Sequence, residues 1–320
     1  MIKALAIVGP TASGKTALSL AVAESLGCKI ISCDSMQIYR GMDIGTAKAT
    51  AEEQARAEHF LIDFLDPRES FSVESYRKMA MDAAREISSS GKTPLFVGGT
   101  GLYIDSVIRL ENTGAPESNE EYRKAQMEIA SREGGEDILW NRLREVDPDS
   151  AEKIHKNNVK RVIRALEIYD ATGQTKTWFD SQTKAPNPEI SVKMITLDFH
   201  NRDLLYDRVN RRVDIMMEEG LLSEVEALYR ADMLRPETTA AQAIGYKEIV
   251  DYLEGRCTLE EAVDEIKLSS RRYAKRQLTW FRHEKDAIKL FVDTEDGKMK
   301  SGDALLAEAL ELIGDVGLEA

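Results

Sequence analysis

The chain has 320 residues, 42% of them apolar and 31% charged, and its 43 Lys and Arg face 56 Asp and Glu for a formal net charge of −13. This composition fits about two soluble globular domains with a sizeable core and excludes collagenous, low-complexity and wholly disordered chains. No apolar run approaches the ~20 residues that a membrane-spanning helix needs, and Met1–Pro10 lacks the apolar stretch and small-residue cleavage site of a signal peptide. Cys28, Cys33 and Cys257 form no C-x-x-C pair, which argues against a disulfide framework and a zinc site, so a reducing cytoplasm is the expected compartment. At face value the acidic balance also argues against nucleic acid, whose phosphates need basic partners. The charge is unevenly spread, however. From Asp293 onward eight acids face two lysines, while Lys153–Arg164 and Arg271–Arg282 each carry five Lys or Arg and no acid.

Taken in chain order, Ala4–Val8 is a short apolar run and predicts a buried strand. Thr16–Leu26 has apolar residues at helical spacing and stops at Gly27. Lys29–Cys33 predicts a second strand and Phe60–Ile62 a weaker third. Phe71, Tyr76, Met79, Ala80, Ala83 and Ile87 predict one face of a helix ending at Gly91, and Pro94–Val97 a fourth strand that runs into Gly98-Gly99. Such alternation predicts an α/β fold with a parallel sheet flanked by helices. Glu111–Asn119 is polar, with Gly114 and Pro116, and predicts a linker. From there to Thr172 the pattern is helical: Asp147-Pro148 opens one helix, and Gly173 closes another containing Val162, Ala165, Leu166, Ile168 and Tyr169. Gln174–Glu189 reads as a loop, Val192–Phe199 as a strand, and Leu205, Val209, Val213 and Met216 as a helix face. The remainder reads as helices with a late strand at Ile288–Val292. The expected layout is an α/β core (1–111 and 191–320) interrupted by an all-helical insertion (112–190).

Gly9-Pro10-Thr11-Ala12-Ser13-Gly14-Lys15-Thr16 fits G-x-x-x-x-G-K-[ST], and the predicted strand before it and helix after it are the context that motif requires. Its glycines allow a tight loop whose N–H groups converge on phosphate oxygens. The helix N-terminus adds the positive end of its dipole, Lys15 a point charge, and Thr16 a hydroxyl able to ligate Mg²⁺. NTP-driven motors add an acid at the end of a buried strand to hold the metal. Here Pro94–Val97 ends in Gly98-Gly99-Thr100-Gly101, and Asp63 follows only the weak third strand, which points toward a small transferase instead. Lys29–Cys33 runs into Asp34. Ligands of open α/β sheets bind at the carboxyl ends of strands, so Asp34 is a candidate proton acceptor beside the cradle; taken alone it fits a turn or helix cap equally well. Gly41–Lys48 suits a second loop near phosphates.

Together, Gly9–Thr16, Asp34–Lys48 (D-S-M-Q-I-Y-R-G-M-D-I-G-T-A-K), His59–Asp63, Gly98–Tyr103, Lys160–Glu167, Arg208–Met216, Gln242–Glu248 and Lys275–Arg282 resemble, in order and over most of the chain, the tRNA dimethylallyltransferase (isopentenyl-diphosphate:tRNA transferase) family. One departure is Glu58, where the family often has a first histidine before His59. The cysteine count is that expected of a bacterial-type member without the zinc-binding extension of eukaryotic ones. The resemblance implies a P-loop NTPase-like core with a helical insertion facing tRNA. It implies transfer of a dimethylallyl group from dimethylallyl diphosphate to N6 of adenine 37 in tRNAs that read codons starting with U, with release of diphosphate.

In that reading Gly9, Pro10, Thr11, Ala12, Ser13, Gly14, Lys15 and Thr16 cradle the diphosphate, with Mg²⁺ as cofactor on Thr16. Arg208 and Arg212 lie one helical turn apart on one face, and either or both grip the diphosphate, with Arg212 preferred. Asp34 takes the proton of the adenine amine and Thr100 orients that amine. The tRNA contacts implied are Asp34, Ser35, Met36, Gln37, Thr100, Arg123, Lys160, Arg161, Val162, Ile163, Arg164, Gln242, Ala243, Ile244, Gly245, Tyr246, Lys247, Lys275, Arg276, Gln277, Leu278, Thr279, Trp280, Phe281 and Arg282. Without the resemblance, Lys160, Arg161 and Arg164 fit an ordinary exposed helix face, Arg123 a helix-surface arginine, and Trp280 and Phe281 core residues. Two rival functions use the same cradle: a small-molecule kinase consuming ATP, and a non-catalytic RNA-binding nucleotide switch. The lack of a long heptad pattern favours a monomer.

Overall fold

The computed structural model describes residues 1–109, 116, 119–182 and 185–314, so most of the segment read as a linker lies outside the described residues. The chain divides into two compact units, Met1–Ile108 with Pro188–Ala320, and Arg109–Asn187. Both boundaries fall slightly earlier than the sequence pattern placed them.

The first unit runs β1 (Ile2–Val8), α1 (Lys15–Leu26), β2 (Lys29–Ser32), α2 (Ala51–Arg56), β3 (His59–Phe60), α3 (Val73–Ser89), β4 (Pro94–Gly98) and α4 (Gly101–Ile108). The second unit contributes α5 (Glu120–Ala130), α6 (Gly135–Val146), α7 (Pro148–Lys153), α8 (Val159–Thr172) and α9 (Lys176–Gln182). The first unit then resumes with β5 (Ile190–Asp198), α10 (Arg202–Glu219), α11 (Leu221–Arg230), α12 (Tyr246–Leu253), α13 (Leu259–Arg282), β6 (Ile288–Phe291) and α14 (Gly302–Gly314).

The six strands form one parallel sheet in the order β3-β2-β4-β1-β5-β6. A parallel sheet needs both faces covered, and β1 shows how the sequence meets that need. Leu5 and Ile7 join one core layer with Leu18, Leu20 and Val22 of α1 and Ala309 and Ile313 of α14. Ala4, Ala6 and Val8 join the other with Tyr76, Ala80 and Ile87 of α3 and Ile104 and Val107 of α4. α13 contributes Leu278 to the first layer and Phe281 to the second. A third cluster packs α10, α11 and α12 against Ile38, Tyr39 and Met42 of the segment after β2. The second unit has its own core, built from Leu139, Leu143, Val162, Ile163 and Leu166.

The local signals operate as the sequence suggests. Gly27 and Gly173 end α1 and α8 in left-handed conformation, and Asp147 caps α7 with Pro148 in its first turn. Four expectations need correction. β1 starts at Ile2 rather than Ala4, since its first residues pair with Ile190 of β5. β3 is only His59–Phe60, because Leu61 and Asp63 turn to positive φ (59° and 56°) and leave the strand. The stretch 174–189 contains α9, whose Phe179 is buried. Met79 is exposed, so the apolar face of α3 is narrower than its spacing suggested.

Where β4 ends, Gly98 passes so close to β2 that a Cβ would stand 2.2 Å from the Cys33 carbonyl oxygen. Gly98→Ala must therefore push the two strands apart, and chemical denaturation should show a loss of about 1–3 kcal/mol. Gly302→Ala, where a Cβ meets nothing within 4 Å, should stay within about 0.5 kcal/mol of the parent. Equal stability of the two variants would contradict the packing described.

Candidate active site

The loop between β1 and α1 has a geometry suited to an anion. α1 opens at Lys15 with no side-chain cap, so its first N–H groups point into the loop without intrahelical partners. Lys15 Nζ donates to the Pro10 carbonyl at 2.6 Å, and Arg208 Nε on α10 donates to the Ala12 carbonyl at 2.8 Å. The loop thus holds its own cations in place of an anion. The Ser13 hydroxyl, buried in the same loop, has no hydrogen-bond partner. A buried unpaired hydroxyl among cations is what a phosphate oxygen would satisfy.

The electrostatics agree. Burial, helped by the nearby Arg212 charge and opposed by Asp34, pushes the Lys15 ammonium down to about 7. Burial also presses on the charges of Arg208 and Arg212, with Asp34 partly offsetting it at Arg212. Three partly buried cations therefore lie together, and Asp34 is the acid whose field reaches both Lys15 and Arg212.

Asp34 leaves the end of β2 half-buried, and its Oδ1 accepts the Met36 N–H at 2.9 Å. It is thus both the turn aspartate of the plainer reading and the acid beside the cradle. Thr100 stands at the end of the neighbouring β4. Its N–H donates to the Cys33 carbonyl at 3.0 Å, and its Oγ1 accepts the Ser35 N–H at 3.1 Å. The two sequence-predicted catalytic groups are therefore brought to adjacent strand ends. A third group joins them. Burial, together with the Asp34 charge, pushes the phenol of Tyr273 on α13 up to about 12, with Thr100 and Gln277 acting against the rise. Tyr273 was missed in the sequence, where its only mark is its position four residues before Gln277 on one helix face.

Beside the cradle lies a cleft of about 590 Å³, lined by Thr16 and Arg212 and by the apolar Ile44, Ala47, Ile215 and Met216. Its outer wall, the Gly41–Lys48 loop, is fastened from behind. Glu224 of α11 accepts the N–H groups of Asp43, Ile44 and Gly45 at 3.0, 2.8 and 3.2 Å and the Tyr246 hydroxyl at 2.5 Å. Lys48 of that loop also borders the cleft. It is buried and donates to Tyr39 O, Asp43 and Asp63. Gln37 donates its amide to the Thr46 and Ala47 carbonyls. Among the described residues no group of three or more His, Cys, Asp and Glu is arranged for a metal. A Mg²⁺ here would have the Thr16 hydroxyl as protein ligand, which fits a cation held mainly by substrate oxygens and water.

The residues expected to face tRNA separate into two groups. On the first unit Gln242, Lys247, Lys275, Arg276, Thr279 and Trp280 are exposed, and Ser35, Met36 and Ile244 are partly so. Lys247 and Lys275 have no partner among the described residues, and Arg276 lies over the Tyr273 ring at 5.5 Å. On the second unit Lys160 and Arg161 are exposed and unpaired among the described residues. The following are buried or already engaged within the protein. Val162, Ile163, Ala243, Gly245, Tyr246, Leu278 and Phe281 are buried, because each fills the apolar stripe or the helix start of its own motif. Gln277 is buried and bridges two loops. Arg282 is held bidentately by the buried Asp198 at 2.9 and 2.7 Å. Arg123 and Arg164 both bind the buried Glu167. Burial would raise that carboxyl, but the two guanidiniums and the Asn119 N–H hold it below its ordinary range. Charge periodicity finds basic residues on a helix; it does not say which of them already have a buried acid.

Fold and loop together define a P-loop-like α/β protein with a cation-lined loop at the carboxyl edge of its sheet. The sequence profile described as "IPP transferase" matches residues 37–284, and that described as "isopentenyl transferase" matches residues 2–69, so the chain belongs to the IPP transferase family. It is 49% identical over 302 residues to a tRNA dimethylallyltransferase of Bacillus cereus, covering 93% of this chain and 92% of that protein. It is similarly close (48%, with 93% of each chain covered) to one of Bacillus anthracis. The crystal structure of the full-length tRNA isopentenylpyrophosphate transferase of Bacillus halodurans aligns with a TM-score of 0.72 at 45% identity, over 98% of this chain and 96% of that one. A eukaryotic dimethylallyltransferase solved while acting on tRNA aligns with a TM-score of 0.80 at 27% identity, over 100% of this chain and 81% of that one.

The Lys15 environment gives a pH prediction. In the free protein its ammonium loses its proton near pH 7. A bound anion restores the proton, so binding takes up a proton above that pH and affinity falls as pH rises. The dissociation constant of inorganic diphosphate, measured from pH 6 to 9 for the parent and for Lys15→Arg, should rise more steeply with pH above 7 in the parent. Lys15→Arg, which stays charged, should flatten the curve. A pH-independent parent would contradict the assignment.

Proposed function

We propose that the protein transfers the dimethylallyl group of dimethylallyl diphosphate to N6 of adenine 37 in tRNAs reading codons that begin with U. The observation that carries this reading is the meeting of a three-cation phosphate loop with Asp34 and Thr100 at adjacent strand ends, in a chain about half identical to tRNA dimethylallyltransferases. Diphosphate occupies the Gly9–Thr16 loop, in reach of Lys15, Arg208, Arg212 and the unpaired Ser13 hydroxyl. The apolar Ile44, Ala47, Ile215 and Met216 suit the five-carbon tail. Mg²⁺, held by Thr16 and the diphosphate, neutralises part of the leaving charge when bound.

The chemistry then follows from charge. N6 attacks the allylic carbon, the carbon–oxygen bond breaks, and its electron pair leaves with the diphosphate. Lys15 and the two arginines sit where that charge develops, partly buried so that water screens them less than at the surface. Asp34 takes the N6 proton, and Thr100, its hydroxyl fixed by the Ser35 N–H, orients the amine. The adenine has to leave its stack to reach them. Lys247, Lys275 and Arg276 supply phosphate contacts on the first unit, and Lys160 and Arg161 on the second. Trp280, 41% exposed beside the Thr100 turn, offers a stacking surface. The acidic remainder of the chain keeps such contacts few and placed. No membrane-spanning helix is found among the described residues; we take the enzyme to act as a monomer in the cytoplasm.

The test is nucleoside mass analysis of unmodified tRNA incubated with protein, dimethylallyl diphosphate and Mg²⁺. Dimethylallyl-adenosine is expected from the parent. Asp34→Asn should lose at least about a hundredfold in kcat, the usual weight of a general base, while its tRNA affinity stays within about twofold. Turnover of ATP without any modified nucleoside would favour a kinase, and full activity of Asp34→Asn would remove the proposed base.

A further inference from the structure

α13 presents a second set of side chains beside its cationic surface. Tyr273, Gln277 and Trp280 follow at i, i+4 and i+7 and share one face of the helix. That face meets the Gly98–Gly101 turn position by position. Tyr273 stands near Thr100, whose side chain bears on its phenol. Gln277 Nε2 donates to the Gly99 carbonyl at 2.9 Å. Trp280 lies so close over Gly101 that a Cβ there would stand 2.3 Å from the indole. Gln277 also reaches the phosphate loop, where its Oε1 accepts the Thr11 N–H at 2.8 Å. The side chain is only 5% exposed, and a Cβ on Gly99 would sit 2.1 Å from Nε2, so the amide has no slack on that side.

Thr11 lies between the two residues whose carbonyls hold the loop's cations, Pro10 with Lys15 and Ala12 with Arg208. An entering diphosphate draws both cations off those carbonyls, so the segment around Thr11 must readjust. A buried amide bonded at both ends cannot give up one partner without leaving a buried polar group unpaired. The amide therefore follows Thr11, and the Gly99 carbonyl follows the amide. We propose that Gln277 is a positioning residue that couples occupancy of the phosphate loop to the placement of Thr100. The diphosphate site and the base site are then linked thermodynamically through one side chain of α13. The naming of the two ligands rests on the transferase reading above.

The experiment titrates inorganic diphosphate with Mg²⁺, and an unmodified anticodon stem-loop RNA, singly and together, into the full-length chain. In the parent each probe is expected to tighten the other about tenfold, roughly 1.4 kcal/mol and within the usual span of such couplings. Gln277→Met, close in shape but unable to hydrogen-bond at either end, should bind each probe alone within about twofold of the parent while the coupling factor falls to about one. Gly99→Ala displaces the same amide from the opposite side and should give the same phenotype, which covers a Gln277→Met that does not fold. Absence of coupling in the parent, or parental coupling in either folded variant, overturns the proposal. Failure of the transferase reading shows elsewhere, as absence of dimethylallyl-adenosine from the parent enzyme, and leaves the linkage measurement interpretable.

Discussion

Three cations converge on a short loop that offers them only carbonyl oxygens. Lys15 and Arg208 hydrogen-bond to the loop itself, Arg212 adds its charge to Lys15, and burial presses on all three. A multivalent anion relieves this arrangement better than water does, because it supplies charge and acceptor oxygens together. The rest of the first unit reads as the means of holding that unrelieved cluster beside two groups able to handle a proton. β1 delivers the loop, β2 delivers Asp34, and β4 delivers Thr100, all at the carboxyl edge of one parallel sheet. That edge is where open α/β sheets bind ligands, because their loops converge there.

Loops that carry chemistry are commonly the least fixed parts of a domain. Here the later helices fasten them. Glu224 of α11 collects three successive N–H groups of the Gly41–Lys48 loop, Lys48 ties that loop to Asp63, and Gln277 of α13 bridges the phosphate loop to the Thr100 turn. The N-terminal half thus supplies the phosphate loop, Asp34 and Thr100, and the C-terminal half adds Arg208 and Arg212 and helps to fix the loops. Each strut is a polar side chain placed among apolar neighbours, an arrangement stable only when every donor and acceptor is matched.

Much of this was legible before any coordinates. The phosphate loop carries its own signature because its geometry demands particular residue types at fixed spacing, and the alternation around Ala4–Val8 and Pro94–Val97 announced a parallel sheet. The helical insertion was visible in the apolar spacing of Val162, Ala165 and Leu166 and in Gly173. What escaped was pairing across long separations. Nothing near Arg282 says that Asp198 awaits it, and nothing near Arg123 says that it binds Glu167. Gln277 looked like part of a nucleic-acid motif, yet it interrupts a buried run of Ala274, Leu278 and Phe281, and a lone amide in such a stripe marks a strut. The net charge of −13 misled for the same reason: it averages over a surface on which Lys160, Arg161 and Lys275 have no ion-pair partner among the described residues.

If the loop serves a leaving diphosphate rather than a transferred phosphoryl group, the bond that breaks is carbon–oxygen. The direct measurement uses dimethylallyl diphosphate carrying a heavy oxygen isotope in the bridge between carbon and phosphorus, with unmodified tRNA as acceptor. The account predicts that the released diphosphate retains all of the label and that the modified adenosine gains five carbons and no phosphorus. Label lost from the diphosphate, or phosphorus found on the nucleoside, would contradict it.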